Sequence, residues 1–297
     1  MSIYIFGKTP EDNKDKQSIQ LLFENLCLAY EEIFVWEPLF NSIKSLLPSS
    51  PKIRTFAHKS DLKDSNNILL SLGGDGTMLD TINFVIGTQI AVLGVNLGHL
   101  GFLTTAGRED ISHLVSEIKK NNFTIEKRPI LEVDYPSNEE KRRFAVNEAC
   151  FISTNRGSVI NLEVFVDDKY LSTYSADGII LATPTGSTAY SMAAGGPIIS
   201  PQSQCLCLTP IAPHNLTFRP IIISDNSMVK VRIPKNNNDC EMLLDGYSIF
   251  KENNMEVVMK KSPYFWNLVR LENQDFFKAI RDKLMWGTTP KYLKTPQ

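Results

Sequence analysis

The residues best suited to chemistry are an aspartate set among three glycines, Gly73-Gly74-Asp75-Gly76-Thr77. The apolar run Ile68 to Leu72 precedes them and reads as a buried strand. Met78, Leu79, Ile82, Val85 and Ile86 follow at helical spacing. Asp75 is therefore expected on a loop between a strand end and a helix start, where open α/β sheets bind ligands. Glycines let the backbone turn sharply and approach a ligand closely, and free amides at a helix start favour phosphate. A carboxylate there would repel phosphate, so it makes sense facing a hydroxyl or a metal. The sharp reading is a phosphate loop (Gly73, Gly74, Gly76, Thr77) whose aspartate is a general base toward a hydroxyl. The competing reading is a glycine turn with an aspartate helix cap. The dinucleotide fingerprint is excluded, because Leu79 stands where its third glycine belongs.

Two further stretches carry polar groups at meaningful spacing. Asn147-Glu148 lies in the run Arg143 to Ile152. Asn offers a donor and an acceptor to a base edge, and Glu could accept from ribose hydroxyls; a solvated strand face is the alternative. The densest stretch runs from Ala176-Asp177-Gly178 through Thr183-Pro184-Thr185-Gly186-Ser187-Thr188-Ala189-Tyr190-Ser191 to Ala193-Ala194-Gly195-Gly196. A strand ends at Ala182 and a hydroxyl-rich loop follows. Capping alone leaves so many hydroxyls around one tyrosine unexplained. They are expected to face a polar ligand, with Tyr190 stacking on a base.

Other candidates are quieter. Ser2 stands where a P-loop ending in Gly7-Lys8-Thr9 requires glycine. Leu244-Asp245-Gly246 reads as a hairpin turn. His214 reads as a structural histidine in a loop feeding a strand. Cys205 and Cys207 lack companions at zinc spacing. The four histidines (His58, His99, His113, His214) are widely spread, so no protein-held metal site is expected.

The elements that must position these groups follow from pattern and composition. The chain has 297 residues, 42% of them hydrophobic, with 31 basic and 33 acidic side chains for a net charge of −2. That balance excludes a polyanion-coating protein or a charged disordered tail. Five cysteines without framework spacing suit a reducing compartment. There is no signal-peptide pattern and no apolar run near the roughly 20 residues that span a bilayer. A soluble cytoplasmic protein is expected, with no nucleic-acid or membrane partner.

Strands at Ile3–Phe6, Ile53–Ala57, Ile68–Leu72 and Ile90–Val95 alternate with helical patterns at 17–29, Pro38–Leu47 and Ile111–Ile118. Asp110 is the expected N-cap of the last of these. This pattern predicts a Rossmann-like parallel sheet covered by helices. From 123 onward, runs rich in Val, Ile, Phe and Tyr are punctuated by turn residues. They fall at 123–135, 144–153, 158–167, 170–182, 219–223, 228–233, 240–244 and 255–260, and predict a mostly β, sandwich-like half. The expected division is an α/β phosphate-loop domain over 1–110 and a β-rich domain over 120–265. A C-terminal segment, 266–297, is expected to return to the first domain through the helix around Phe276, Phe277, Ile280 and Leu284.

Taken together and in order, the motifs resemble the NAD kinase family. They are Gly73–Thr77, Asn96-Leu97-Gly98-His99-Leu100-Gly101-Phe102, Asn147-Glu148, Asp177-Gly178, Thr183–Ser191, Ile211-Ala212-Pro213-His214 and Arg219-Pro220. Gly-Gly-Asp-Gly alone is shared with diacylglycerol, sphingosine and phosphofructo-type kinases; the Thr-Pro-Thr-Gly-Ser-Thr-Ala-Tyr run is far more specific. The resemblance implies a β-rich NAD-binding domain, NAD held between two domains, and transfer of the terminal phosphoryl group of ATP to the 2′-hydroxyl of the adenosine ribose. A divalent metal, Mg²⁺, would be carried by ATP.

It further implies that Asp75 is the catalytic base, with Gly76 beside the ligand. Asn147 and Glu148 would contact adenine and ribose, and Asp177 the nicotinamide end. Thr188, Ala189, Tyr190, Ser191 and Ala193 would form the wall around the bases, Ala212 a backbone contact, and Phe102 part of the same pocket. Ala193 offers no hydroxyl where the family often has Ser. A homo-oligomer, dimer or tetramer, is implied as well. Two rivals remain at this point: a lipid or sphingoid kinase, which would need a large apolar pocket, and a non-catalytic NAD(H)-binding sensor, which has no need of a base at Asp75.

Overall fold

The computed structural model describes residues 1–97, 101–136, 142–155, 157–235, 240–251, 253–272 and 275–287. Gly98-His99-Leu100, Ser137-Asn138, Arg156, Asn236-Asn237-Asn238 and the end of the C-terminal segment lie outside these residues. The chain forms two units, Met1–Glu126 with Asn267–Gln297, and Lys127–Trp266.

In the first unit, strands alternate with helices: β1 (Ile3–Gly7), α1 (Asn13–Ala29), β2 (Ile33–Trp36), α2 (Glu37–Ile43), β3 (Ile53–Phe56), β4 (Ile68–Leu72), α3 (Asp75–Asp80), α4 (Ile82–Val85), β5 (Ala91–Val95) and α5 (Ile111–Lys119). The strands pair in parallel in the order β5-β4-β1-β2-β3. Strand alternation sends Ile3, Ile5, Ile68, Leu70 and Leu72 to one face, where they pack with Ile19, Leu22, Phe23 and Leu26 of α1 and Leu114 and Ile118 of α5. On β1 the residues between carry rings: Tyr4 stacks on Phe34 at 5.0 Å and Phe6 meets Trp36 at 4.6 Å. Both faces are thus covered, as a parallel sheet requires.

β2 is the element the pattern missed. It is four residues long and runs straight into Glu37-Pro38, which starts α2. α1 begins earlier than its apolar spacing indicates, because the Asp12 carboxylate caps the N–H of Asp15 at 2.7 Å. Asp110 is not the N-cap of α5. Its carboxylate accepts the Gly107 N–H at 3.2 Å and closes a 3₁₀ turn over Arg108–Asp110 instead.

The second unit is two-layered. One layer holds β6 (Phe123–Asp134), β7 (Phe144–Ala145), β9 (Ile160–Val166), β10 (Lys169–Ala176), β14 (Val229–Ile233) and the first part of β17 (Met255–Leu271). The other, in the order β13-β12-β11-β8-β15-β16, holds β8 (Glu148–Ser153), β11 (Gly178–Ala182), β12 (Cys205–Ile211), β13 (Ile221–Ser224), β15 (Cys240–Leu244) and β16 (Tyr247–Phe250), all antiparallel. Leu162, Val164, Val231 and Val257 of the first layer and Phe151, Ile179, Leu208 and Met242 of the second fill one apolar core. Alternation on each strand supplies it.

β12 and β16 were not legible as strands, and β17 runs well past its expected end at 260. The last residues of β17 rejoin the first unit: Leu268 pairs in parallel with Val92 of β5, and Val269 enters that unit's core. After β17 comes α7 (Phe276–Leu284), capped by Asp275, whose carboxylate accepts the Lys278 N–H at 2.6 Å. No helix among the described residues is long and apolar enough to cross a membrane.

Candidate active site

In the first unit, Gly73–Thr77 joins β4 to α3. Gly73 adopts φ 147°, which a side chain disfavours, and a Cβ there would press on Thr77. Its N–H donates to the Val95 carbonyl at 3.0 Å, so the loop turns away from the sheet at a fixed point. Beyond that turn the glycines are bare: a Cβ on Gly74 or Gly76 would meet nothing. The backbone here is open to a ligand, and the N–H groups of a helix's first turn have no intrahelical acceptor.

Asp75 occupies the first turn of α3 and is engaged from the 101–104 segment. Oδ2 accepts the Phe102 N–H at 2.7 Å, while Oδ1 accepts those of Leu103 at 3.1 Å and Thr104 at 3.3 Å. The Thr104 hydroxyl in turn accepts the Gly101 N–H at 3.0 Å. A Cβ on Gly101 would overlap the carboxylate, so only glycine permits this approach. Two carboxylate oxygens offer about four acceptor positions. Oδ2, with one partner, keeps one of them. Phe102 is half-buried, and its ring lies beneath Lys283 of α7.

In the second unit, Asn147 and Glu148 begin β8 and are buried at 9% and 6% exposure. What holds them is Asp245, in the turn between β15 and β16. Its Oδ1 accepts the N–H groups of Asn147 at 2.7 Å and Glu148 at 3.1 Å; its Oδ2 accepts that of Val146 at 2.8 Å and pairs closely with Arg142. The hairpin-turn reading was right about the backbone, with Asp245 and Gly246 at φ 48° and 83°. It said nothing of the side chain, which organises the strand bearing two candidate ligand contacts. No sequence signal distinguishes such an aspartate from an ordinary turn residue.

Glu148 is the electrostatic exception of this unit. Burial, and then the neighbouring Asp245 charge, push its carboxyl from the ordinary 4.5 up to about 8, against the pull of the Tyr190 N–H. Its Oε2 is buried without a hydrogen-bond partner. Burial also raises Asp245, opposed by Arg142 and three amides. Because every group facing Asp245 in these bonds is a donor, we place the proton on Glu148.

The hydroxyl-rich loop corrects the expectation that its hydroxyls face a ligand. Thr183 Oγ1 donates to the Val146 carbonyl at 2.6 Å, Ser187 to Pro184 at 2.7 Å and Thr188 to Thr185 at 3.3 Å. Thr185 receives Arg128 at 3.3 Å, and Ser191 pairs with Thr209 at 2.9 Å. Ser191 is fully buried, so its hydroxyl belongs to the interior and is no side-chain contact for NAD. These bonds tie the loop to the strands and leave Tyr190 as its exposed ring, at 42%. Thr188 and Ala189 are half-buried, and Ala193 is exposed.

Asp177 is exposed at the head of β11, and its N–H donates to the Ile211 carbonyl at 3.0 Å. That bond brings it beside Ala212, which is exposed at φ 43°. The second unit therefore gathers Asn147, Glu148 and Tyr190, with Asp177 and Ala212 as a second pair. Asp75, Gly76 and Phe102 form their own group in the first unit.

Family models match both parts of the chain. The ATP-NAD kinase N-terminal domain covers residues 20–123, and the ATP-NAD kinase C-terminal domain covers 146–271. The NAD kinase of Flavobacterium psychrophilum is 36% identical over 295 residues, and that of Christiangramia forsetii 34% identical over 290 residues. Each alignment covers 97% of this chain and 98% of the relative. Among solved structures, yeast NADH kinase complexed with NADH superposes with a TM-score of 0.86 at 26% identity, covering 100% of this chain and 90% of that one. An Archaeoglobus fulgidus NAD kinase in complex with ATP shares the fold, with a TM-score of 0.71 at 24% identity, 96% of this chain and 99% of that one. Matched in both units and aligned over nearly its full length, the chain belongs to the NAD kinase family.

Proposed function

We propose that the chain moves the terminal phosphoryl group of ATP to the 2′-hydroxyl of the adenosine ribose of NAD, with Asp75 receiving the hydroxyl proton. The observation that carries this assignment is the Asp75 carboxylate. It is fixed by three N–H donors, beside bare glycines, with one acceptor position of Oδ2 to spare.

A free ribose hydroxyl is a poor nucleophile at neutral pH, and phosphoryl transfer is mostly positioning plus charge neutralisation. In this reading the 2′-oxygen bonds to the γ-phosphorus as the bond from phosphorus to the β–γ bridging oxygen breaks. ADP leaves, and the hydroxyl proton passes to Asp75 Oδ2 and then to water. The N–H groups around Gly74 and Gly76 face the phosphates. The described residues assemble no cluster of three or more His, Cys, Asp or Glu side chains. We therefore treat the divalent cation, Mg²⁺, as part of the ATP substrate.

The second unit's residues supply the grip on NAD. Asn147 meets the adenine edge, and a protonated Glu148 donates to a ribose oxygen. Tyr190 stacks on a base with Thr188, Ala189 and Ala193 around it; Asp177 and Ala212 face the nicotinamide end. Gly76 and Phe102 border the ribose from the first unit's own loop. The expected partners are NAD and ATP, not a nucleic acid or a membrane, and the expected assembly is a homodimer or homotetramer in the cytoplasm.

A coupled assay for NADP, run with NAD and NADH as acceptors and with ATP, other triphosphates and polyphosphate as donors, tests the reading. NADP formation from NAD and ATP is the expected result. Lipid phosphorylation without NADP, or NAD binding without turnover, would overturn it.

A further inference from the structure

We propose that Lys283, carried by the C-terminal helix α7, is the side chain that contacts the phosphates of the donor nucleotide at the Gly73–Thr77 loop. This deepens the kinase reading and rests on it. Lys283 Nζ lies 5.0 Å from the centre of the Phe102 ring. The backbone N–H of that same Phe102 holds Asp75 Oδ2 at 2.7 Å. The ammonium is thereby set on the short segment that fixes the candidate base. It is half-buried, yet among the described residues it forms no ion pair and no hydrogen bond. Its surroundings are uneven: burial lowers its pKa, Arg270 lowers it further, and Asp75 and Asp282 push the other way.

The other cation there is already committed, since Arg270 pairs with Glu126 at 3.0 Å. Asp75 is saturated on one oxygen by amides. An ammonium withdrawn from water without a paired anion is costly unless an anion arrives. The anion this reaction brings to the glycine loop is a polyphosphate, and charge on its oxygens is what a transferase neutralises. A purely structural role is the alternative. Lysine in a helix's last turn favours the dipole, and its stem covers an aromatic ring.

Substitution separates the two. Lys283→Met and Lys283→Gln keep a stem over Phe102 without the charge, and Lys283→Arg keeps the charge. Initial rates of NADP formation are measured with ATP and NAD varied separately, alongside thermal melts. The expected result is a rise in KM for ATP of about tenfold or more in the neutral variants, as for loss of one charge-assisted phosphate contact. KM for NAD should stay within about twofold, and Lys283→Arg should recover most of the loss. Neutral variants with wild-type constants would overturn the proposal. So would an equal loss in Lys283→Arg and Lys283→Met, or a loss that follows NAD instead of ATP. A wild-type protein that makes no NADP would instead overturn the kinase reading itself.

Discussion

The Gly73–Thr77 loop and the Thr183–Ser191 loop carry the densest signatures in the sequence, and they use their polar atoms in opposite ways. In the first, Gly74 and Gly76 have open space where a side chain would be, and the one carboxylate is held from outside by the amides of residues 102–104. In the second, the hydroxyls of Thr183, Ser187, Thr188 and Ser191 are bonded within the protein, and Tyr190 alone is strongly exposed. The same contrast separates the two candidate acids. Asp75 meets three donors, whereas Glu148 is buried beside another carboxylate with one oxygen unmatched. One loop offers backbone to a ligand; the other spends side chains to make a rigid frame for a few contacts. Residue type alone does not reveal which is happening.

The contrast can be broken most severely at Gly101. Gly101→Ala forces a methyl group into the Asp75 carboxylate. Turnover is expected to fall on the order of 100-fold, because displacement of a catalytic group by about 1 Å has that effect. The melting temperature should change little. Steady-state rates together with circular dichroism check this.

In the second unit the largest effect is expected at Asp245. Asp245→Ala strands a buried Arg142 and three N–H groups, and should destabilise the protein by about 3–5 kcal/mol. Urea unfolding measures it. If Asp245 served only the turn, the cost would stay near 1 kcal/mol, about that of a lost capping interaction.

A smaller effect sharpens the Glu148 assignment. Glu148→Gln copies the protonated acid, so KM for NAD should rise about threefold or less; Glu148→Ala, which removes the hydrogen bond, should raise it about tenfold. The smallest effect is on pH dependence. With the carboxyl at 4.5 when unfolded and about 8 when folded, the folded state holds the extra proton between those values. Its contribution to stability is fully present below 4.5 and is lost as pH rises through about 8. The melting temperature should therefore decline across this window in the wild type and decline less in Glu148→Gln.

Much of this organisation was legible beforehand because it is local. Strand-then-helix periodicity from Ile68 to Ile86 places Asp75 at the end of β4, and alternating apolar residues mark most of the β-rich half. Elements too short or too weakly patterned escaped: β2 is four residues before a proline, and β12 joins Cys205–Leu208 to a proline-containing end. Long-range contacts escaped entirely. The 97 residues between Asp245 and Glu148, and the 181 between Phe102 and Lys283, are bridged only once the chain folds. The hydroxyl loop was misjudged for the same reason, since Val146 and Thr209, which satisfy Thr183 and Ser191, lie far along the chain.

The central claim, that Asp75 takes the proton of the ribose 2′-hydroxyl, is tested most directly by the Asp75→Asn variant, with NADP formation and NAD binding measured on the same preparation. The substitution sets an NH₂ group against a backbone N–H of residues 102–104, a local cost of about 1–3 kcal/mol that the unit should survive. The account predicts a folded protein that binds NAD with an affinity near that of the wild type and has lost most of its turnover. Near wild-type NADP formation by that variant would contradict it and remove Asp75 from the catalytic role.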